Sequence, residues 1–212
     1  MRLHGYWRSS AAYRVRIALN LKGLAYDDAS VNLLQGAQAA PAYRALNPLA
    51  LVPTLEADGL ILTQSLAILE WLEEIYPQPP LLPHGAADRA VVRSMAALIA
   101  CDVAPLNNLR VLNRLRDEFG ADDDKVGQWI ARWIEDGLAA LEALAGPHAG
   151  RFLHGDEPTL ADCCLVPQLY SADRFDVDLE PYPALTHIRA NAEALTAVAA
   201  AHPSRQPDAP RM

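Results

Sequence analysis

A proline-rich stretch at residues 76–88, YPQPPLLPHGAAD, divides the chain into two parts with different hydrophobic patterns. Before it, short apolar runs alternate with helical patterns, whereas after it apolar residues recur almost throughout at helical spacing. Because proline restricts its own backbone and that of the preceding residue, such a stretch interrupts regular structure and favours a linker. We therefore predict a mixed α/β domain over residues 1–80 and an all-helical domain over residues 87–212.

The first part is predicted to contain strands and helices in the order βαβαββα. The segments are MRLHGY, the helix that runs to Lys22-Gly23, YDDASVNL, QAAPAYRALNP, VPTLEADGLILTQ and SLAILEWLEEIYP. The fifth segment is predicted to form two strands joined at an Asp-Gly turn. This order implies a compact sheet with helices packed on it.

In the second part, nearly every segment has the periodicity of a helix. Pro105 should kink or end the first long helical pattern. Thr159, three residues before Asp162, is typical of a capping box that starts a helix, with aspartate in place of the usual Glu or Gln. The final ten residues, PSRQPDAPRM, are predicted to fray.

Composition and charge restrict the kind of protein. Hydrophobic residues make up 51% of the 212 residues and charged residues 21%, which indicates a globular chain rather than a disordered one. The formal net charge of -8 argues against nucleic-acid binding, so local arginines must hold any anionic ligand. The sequence starts without the apolar run of a signal peptide, and no run reaches the roughly 20 residues of a membrane helix. We expect a cytoplasmic protein that binds neither nucleic acid nor a membrane.

Cysteine usage agrees with a reducing compartment. The three cysteines are Cys101, Cys163 and Cys164. Their odd number and their spacing indicate no disulfide framework, so we predict buried free thiols. His154 and Asp156 lie near Cys163 in the sequence, but this spacing matches no zinc or iron motif, and no metal site is predicted.

Three short segments of the first part are candidates for ligand binding. Ser9 and Ser10 precede a helix, whose free N–H groups and partial positive charge suit an anion such as a thiolate, although a serine there also serves simply as an N-cap. A cis peptide bond at Val52-Pro53 would turn the Val52 backbone outward to pair with an extended peptide, and a trans bond is the alternative. Gln64-Ser65 ends a strand and begins a helix, which suits a carboxylate.

Taken together and in this order, these segments resemble a known family. WRSSAAYRVRIALNLKG, ALNPLALVPTL, LTQSLAILEWLEEIYP and LLP are similar to the thioredoxin-like amino-terminal domain of glutathione transferases, specifically of the zeta class. CDVAPLNNLRVL and GDEPTLADCCLVPQLYSADRFDVDLEPYP continue the resemblance, which covers about residues 1–200. It implies the glutathione transferase fold, an α/β thioredoxin-like domain followed by an all-α domain, and a homodimer. The zeta class includes maleylacetoacetate and maleylpyruvate isomerases, so the resemblance implies a glutathione-dependent cis-trans isomerase of aromatic-compound catabolism.

The resemblance also implies roles for individual residues. It gives catalytic roles to Arg8, Ser9, Ser10 and Arg174, contacts with glutathione to Ser9, Gln38, Val52, Gln64, Ser65 and Asn108, and contacts with a dicarboxylate substrate to Arg8, Arg110 and Arg174. The serines would activate the thiol, and guanidinium groups would bind the carboxylates and the enolate. For Asn108, hydrogen bonding within its own turn is an equal alternative. Arg14 and Arg16 point to different faces of their helix and are expected in structural or interface roles.

The implied reaction is thiolate addition to the cis double bond, rotation about the resulting single bond, and elimination to the trans fumaryl isomer. Where the family motif reads Ser-Ser-Cys this sequence has Ala11, so any role of that cysteine is absent. The choice between maleylacetoacetate and maleylpyruvate stays open. The alternatives are a glutathione transferase acting on small electrophiles such as α-halo acids, and a non-catalytic binding protein with this fold.

Overall fold

The computed structural model describes residues 1–210, which divide into two compact units. The first unit contains Met1–Leu81 together with the chain from Glu193 onward, and the second contains Leu82–Ala192. This division differs from the predicted domains, 1–80 and 87–212, at the carboxyl end. The reason is that the last helix of the chain packs against the first one, so the final segment returns to the amino-terminal unit.

The described residues form four strands and nine α-helices. The strands are β1 (Arg2–Gly5), β2 (Asp27–Ser30), β3 (Thr54–Ala57) and β4 (Leu60–Thr63). The helices are α1 (Ser10–Leu21), α2 (Pro41–Leu46), α3 (Ser65–Ile75), α4 (Ala86–Ala97), α5 (Leu109–Phe119), α6 (Asp123–Ala145), α7 (Leu160–Arg174), α8 (Pro183–Glu193) and α9 (Thr196–Ala201). The first seven elements confirm the predicted order βαβαββα.

The sheet of the first unit has the strand order β2-β1-β3-β4. β1 is parallel to β2 and antiparallel to β3, and β4 is antiparallel to β3. Leu3 and Leu55 lie opposite each other and are fully buried, and burial of each contributes about 1.5–3 kcal/mol. The predicted Asp-Gly turn is confirmed, because Asp58 and Gly59 join β3 to β4 with φ angles of 51° and 78°, as a type I′ hairpin requires.

The second unit is a helical core in which α4 packs against α7. Between α4 and α5 the chain forms a π-helix at Leu98–Val103 and a 3₁₀-helix at Ala104–Asn107. Pro105 lies in this 3₁₀-helix, just before the extended residue Asn108 that precedes α5. Within the described residues, Ala86–Phe119 is the one helical stretch long and apolar enough to span a membrane by length and composition alone.

The predicted capping box is confirmed at the start of α7. The backbone N–H and the hydroxyl of Thr159 both donate to Oδ2 of Asp162 at 2.8 Å, and the N–H of Leu153 donates to Oδ1 at 2.9 Å. Burial raises the pKa of Asp162, while these hydrogen bonds act in the opposite direction. The buried carboxylate therefore joins α7 to the loop that precedes it.

The cysteine prediction is wrong in one respect. Cys163 and Cys164 are buried in α7, but Cys101 is exposed in the π-helix, because it lies on the solvent-facing side of that segment. Among residues 1–210, no group of three or more His, Cys, Asp or Glu side chains is placed to hold a metal ion.

The carboxyl-terminal segment does not fray over its described part. Pro203–Arg205 forms a 3₁₀-helix, and the N–H of Ala209 donates to the carbonyl of Gln206 at 3.0 Å. The Gln206 amide is buried and donates to the carbonyls of Ala200 and His202. These hydrogen bonds, rather than local propensity, order the segment. The last two residues of the predicted tail lie outside the described residues.

Candidate active site

Four loops of the first unit meet at one end of the sheet. β1 and β2 are parallel and both end there. β3 begins there, because Thr54 lies opposite His4, and β4 ends there, because Thr63 lies opposite Thr54. These loops and the helix starts that follow them carry the candidate residues Arg8, Ser9, Ser10, Gln38, Val52, Gln64 and Ser65. Chain topology therefore gathers every site residue that was predicted in the amino-terminal domain at this end.

The loop after β1 is a tight turn that leads into α1. The N–H of Ser9 donates to the carbonyl of Tyr6 at 2.9 Å, which closes a β-turn with Trp7 and Arg8 at its centre. Ser9 is the N-cap of α1, and its Oγ accepts from the N–H of Ala12 at 3.3 Å. Since this bond uses only the oxygen, the hydroxyl proton can still be donated to a ligand. The Arg8 guanidinium lies 5.5 Å from the centre of the Trp7 ring.

Val52 lies in the loop that precedes β3, and its peptide bond to Pro53 is cis. The hydroxyl of Tyr43 and the side-chain amide of Asn47 donate to the carbonyl of Leu51 at 2.7 Å each and fix this loop. Burial raises the pKa of Tyr43, which keeps this hydroxyl protonated as a donor. Among the described residues, no intramolecular hydrogen bond engages the Val52 backbone. Its N–H and C=O are thus available to an extended peptide.

The start of α3 has the features of an anion site. Gln64 has a φ of 68°, a sparsely populated conformation that costs a non-glycine residue about 1–3 kcal/mol and clusters at ligand sites. Ser65 is buried, and its Oγ accepts from Nη1 of Arg14 at 3.2 Å. Arg14 is only 2% exposed, and its Nε and Nη2 have no hydrogen-bond partner in the described chain. A buried guanidinium behind a helix N-terminus favours a ligand carboxylate.

Gln38 follows β2, in the 3₁₀-helix Ala37–Ala39. Its side chain is half-buried, and its Oε1 is buried without a hydrogen-bond partner within residues 1–210. A buried amide oxygen without a partner costs about 1–3 kcal/mol. A ligand at this end of the sheet would relieve that cost.

The other predicted site residues belong to the second unit. Arg174 is the last residue of α7, with its guanidinium 4.9 Å from the centre of the Phe175 ring. Arg110 is exposed in the first turn of α5. Asn108 was predicted inside a kinked helix, but it is the N-cap of α5, and its Oδ1 accepts from the N–H of Arg110 at 3.1 Å. The hydrogen bond within its own turn is therefore present, as expected of an asparagine at an N-cap, and the contact of Asn108 with glutathione stays a prediction.

Sequence reasoning missed Arg14. It was expected in a structural or interface role, and it instead contacts Ser65, a candidate binding residue. A signal was present in the sequence, because Arg14 lies among mostly apolar residues in the helical segment AAYRVRIAL, and in the structure α1 buries every residue from Ala12 to Leu19. A charged side chain in such a helix is rare unless it has a partner.

Comparison with known proteins defines the family. The family model "Glutathione S-transferase, N-terminal domain" matches residues 3–80, and "Glutathione S-transferase, C-terminal domain" matches residues 127–200. A maleylpyruvate isomerase from a Ralstonia species is 49% identical over 98% of this chain and 99% of that protein. A maleylacetoacetate isomerase from Pseudomonas aeruginosa is 50% identical over 99% of both chains.

Solved structures give the same result. A zeta-class maleylpyruvate isomerase, a bacterial glutathione S-transferase in its holo form, matches with a TM-score of 0.97 and 48% identity over 99% of this chain and 100% of that one. A maleylacetoacetate isomerase from Anaeromyxobacter dehalogenans has bound dicarboxyethyl glutathione and citrate. It matches with a TM-score of 0.90 and 50% identity over 99% of this chain and 97% of that one.

The chain therefore belongs to the glutathione S-transferase family, and both domains of that family are present. Within the family it is a zeta-class enzyme of the maleylacetoacetate and maleylpyruvate isomerase group, with glutathione as cofactor. The predicted fold class is confirmed. The alternative of a non-catalytic binding protein is not supported.

Proposed function

We propose that this enzyme isomerises a maleyl diketo acid, maleylacetoacetate or maleylpyruvate, to its fumaryl isomer. The observation that carries the proposal is the meeting of the Ser9, Val52 and Gln64-Ser65 segments at one end of the sheet. Glutathione, when bound, supplies the thiol that adds to the maleyl double bond, permits its rotation and is then eliminated.

The first unit fits this tripeptide. The free N–H and C=O of Val52 would pair with its extended backbone. Ser65 and the start of α3 would bind the γ-glutamyl carboxylate, supported by Arg14, whose two buried N–H groups have no partner in the described chain. Gln38, with its unpaired buried oxygen, would contact the glycyl end.

Ser9 would hold the reacting sulfur as a thiolate. Its oxygen accepts from the N–H of Ala12, and its hydroxyl proton would be donated to the sulfur. A helix N-terminus and a hydroxyl donor together lower a thiol pKa from about 8.5 by a unit or more. Ser10, the first residue of α1, is the second candidate donor.

Arginines would bind the substrate. Arg8 and Arg174 each lie over an aromatic ring, at 5.5 Å and 4.9 Å from its centre. Such stacking limits the freedom of a guanidinium, and guanidinium groups can fork onto a carboxylate or an enolate. Arg110 would add a further positive charge, and the side-chain NH₂ of Asn108 remains a donor for glutathione.

The test follows the ultraviolet absorbance of enzymatically generated maleylpyruvate and maleylacetoacetate, with and without glutathione. We expect glutathione-dependent conversion to the fumaryl product, with the faster substrate naming the physiological one. Ser9→Ala and Arg174→Ala should each lower kcat/KM about 100-fold, the effect of removing one donor that stabilises charge in a transition state. Arg132→Ala is the matched control, because Arg132 forms an exposed ion pair within α6 and should not change the rate.

A second serine variant separates activation of the thiol from helix capping. Glycine is nearly as good an N-cap as serine, whereas alanine is a poor one. If the hydroxyl acts on sulfur, Ser9→Gly and Ser9→Ala lose activity equally. If Ser9→Gly keeps wild-type activity, Ser9 only caps α1. Conversion of neither maleyl acid, together with turnover of α-halo acids, would assign the alternative transferase reaction.

We further propose a homodimer in the cytoplasm. The half-exposed apolar side chains of the first unit include Leu60, Ile61 and Ile75, and burial of any of them against a second copy would stabilise a dimer. The free cysteines are consistent with a reducing compartment. Light scattering at micromolar concentration should give twice the chain mass, and a monomer would refute the assembly. Cell fractionation tests the compartment.

A further inference from the structure

The turn that carries Arg8 and Ser9 cannot satisfy the backbone polar groups of its own central residues. A β-turn hydrogen-bonds its first carbonyl to its fourth N–H, here Tyr6 to Ser9, and leaves the N–H and C=O of the second residue unpaired. Polar backbone groups that are shielded from water need partners. The second residue, Trp7, therefore depends on groups from elsewhere in the fold.

Both partners of Trp7 come from other segments of the first unit. Its N–H donates to Oδ2 of Asp208 at 3.0 Å, across 201 residues of chain. Its carbonyl accepts from Nη2 of Arg16 at 2.9 Å. Arg16 also donates through Nε to the carbonyl of Ala201 in α9, at 3.1 Å. The turn is thus fixed through both backbone polar groups of one residue, Trp7.

Asp208 is itself well held. Its Oδ2 also accepts from the hydroxyl of Ser30 at the end of β2, at 3.0 Å. The hydrogen bonds of the Gln206 amide fix the segment two residues earlier. Such a framework lets a half-buried carboxylate stay in one place.

Carboxylates surround the guanidinium at this contact. Arg16 faces Asp28 and Asp208, and together with Ser30 they line a small cavity of about 50 Å³. Burial lowers the pKa of Arg16, while Asp28 and Asp208 oppose that shift. Two carboxylates near one buried guanidinium offset the cost of its burial.

We propose that Asp208 is a positioning residue for the active site. Asp208 holds the turn through the N–H of Trp7 and thereby fixes the hydroxyl of Ser9 at the start of α1. The carboxyl-terminal segment is in this view part of the active-site framework. The inference rests on the proposed role of Ser9 in activating the thiol.

The proposed role predicts an effect on turnover rather than on affinity. The contacts proposed for the glutathione peptide, at Val52 and Ser65, lie on other elements and do not depend on Asp208. Displacement of the Ser9 hydroxyl should weaken activation of the thiol and leave the tripeptide anchored. We expect Asp208→Ala to lower kcat about tenfold, equivalent to about 1.4 kcal/mol, while KM for glutathione changes less than twofold.

Two further variants isolate the hydrogen bond to Trp7. Asp208→Asn keeps an acceptor oxygen for the Trp7 N–H and should recover kcat to within threefold of the wild type. Ser30→Ala removes another hydrogen bond of the same carboxylate but leaves the Trp7 N–H its acceptor and the Gln206 amide its hydrogen bonds. It should therefore lower kcat less than twofold. Calorimetric titration with glutathione gives the number of intact sites, so kcat is expressed per site and loss of folded protein is not counted as loss of rate.

Hydrogen–deuterium exchange of the peptide that contains Trp7 supplies a readout that does not depend on activity. Asp208→Ala should speed exchange there, and Asp208→Asn and Ser30→Ala should not. The proposal is overturned if Asp208→Ala keeps wild-type kcat per site, if exchange at Trp7 is unchanged, or if Ser30→Ala or Asp208→Asn loses as much kcat as Asp208→Ala. If Ser9→Ala and Ser9→Gly are both fully active while Asp208→Ala speeds exchange, the role of Ser9 fails and the anchor of the turn stands.

Discussion

Replacing Asp162 with alanine should destabilise the helical unit strongly. Its buried carboxylate accepts the backbone N–H groups of Leu153 and Thr159 and the hydroxyl of Thr159. The alanine variant leaves two buried N–H donors without a partner, and each costs about 1–3 kcal/mol. The cost of burying the carboxylate, which the raised pKa of Asp162 reflects, offsets part of this loss. We therefore expect the free energy of unfolding to fall by about 3 kcal/mol, a large share of the about 5–15 kcal/mol of a typical protein.

Urea unfolding followed by circular dichroism measures this loss, and two variants calibrate it. Asp156→Ala removes an exposed carboxylate that accepts the N–H of Arg151 at 3.0 Å. Because water can replace this acceptor, the expected loss is at most about 1 kcal/mol. Asp162→Asn keeps one acceptor oxygen but turns an NH₂ group toward a site that supplies mainly donors, so its loss should be intermediate. A loss for Asp162→Ala no larger than that for Asp156→Ala would refute the argument from unsatisfied donors.

Two more predictions concern the first unit. Lys22→Met should lower the free energy of unfolding by about 3–5 kcal/mol, because the buried Lys22 ammonium donates to Glu73 at 2.8 Å and to two backbone carbonyls. In urea unfolding, the double variant with Glu73→Gln should recover part of this free energy. If it recovers none, the loss does not come from the unpaired charge of Glu73. Burial, assisted by Arg205 and Arg16, lowers the pKa of His202 below its usual 6.5. Below pH 6.5 the unfolded chain therefore binds more protons at this position than the folded one. The contribution of neutral His202 to the free energy of unfolding is full above pH 6.5 and is lost as the pH falls below it. His202→Asn should reduce the acid-side slope of unfolding free energy against pH, and an unchanged slope would contradict the assignment.

Much of the fold followed from local sequence signals. Proline at residues 76–88 separated the mixed part from the helical part, and the Asp58-Gly59 turn identified the β3–β4 hairpin. Ser9 at a helix start and the Thr159/Asp162 spacing predicted two helix caps that the structure confirms. These features depend on residues close together in the chain, and hydrophobic period and turn chemistry report such short-range structure directly.

The candidate site was partly accessible in the same way. Its segments stood out because their order resembles one family, whereas position by position each had an ordinary explanation. Asn108 shows the limit, since an asparagine near Pro105 was placed inside a helix and instead caps one. Where a helix breaks by one or two residues depends on tertiary packing as well as on propensity.

The sequence by itself determined the kinds of element, the order of the first seven strands and helices, and the family to which the chain belongs. Only the tertiary structure decided which distant groups meet: Arg14 with Ser65 across 51 residues, and Trp7 with Asp208 across 201. The physical reason is that a hydrogen bond requires two groups about 3 Å apart. Along the chain that distance is set by local geometry, but between segments it is set by how the sheet, the helices and the returning carboxyl-terminal segment pack.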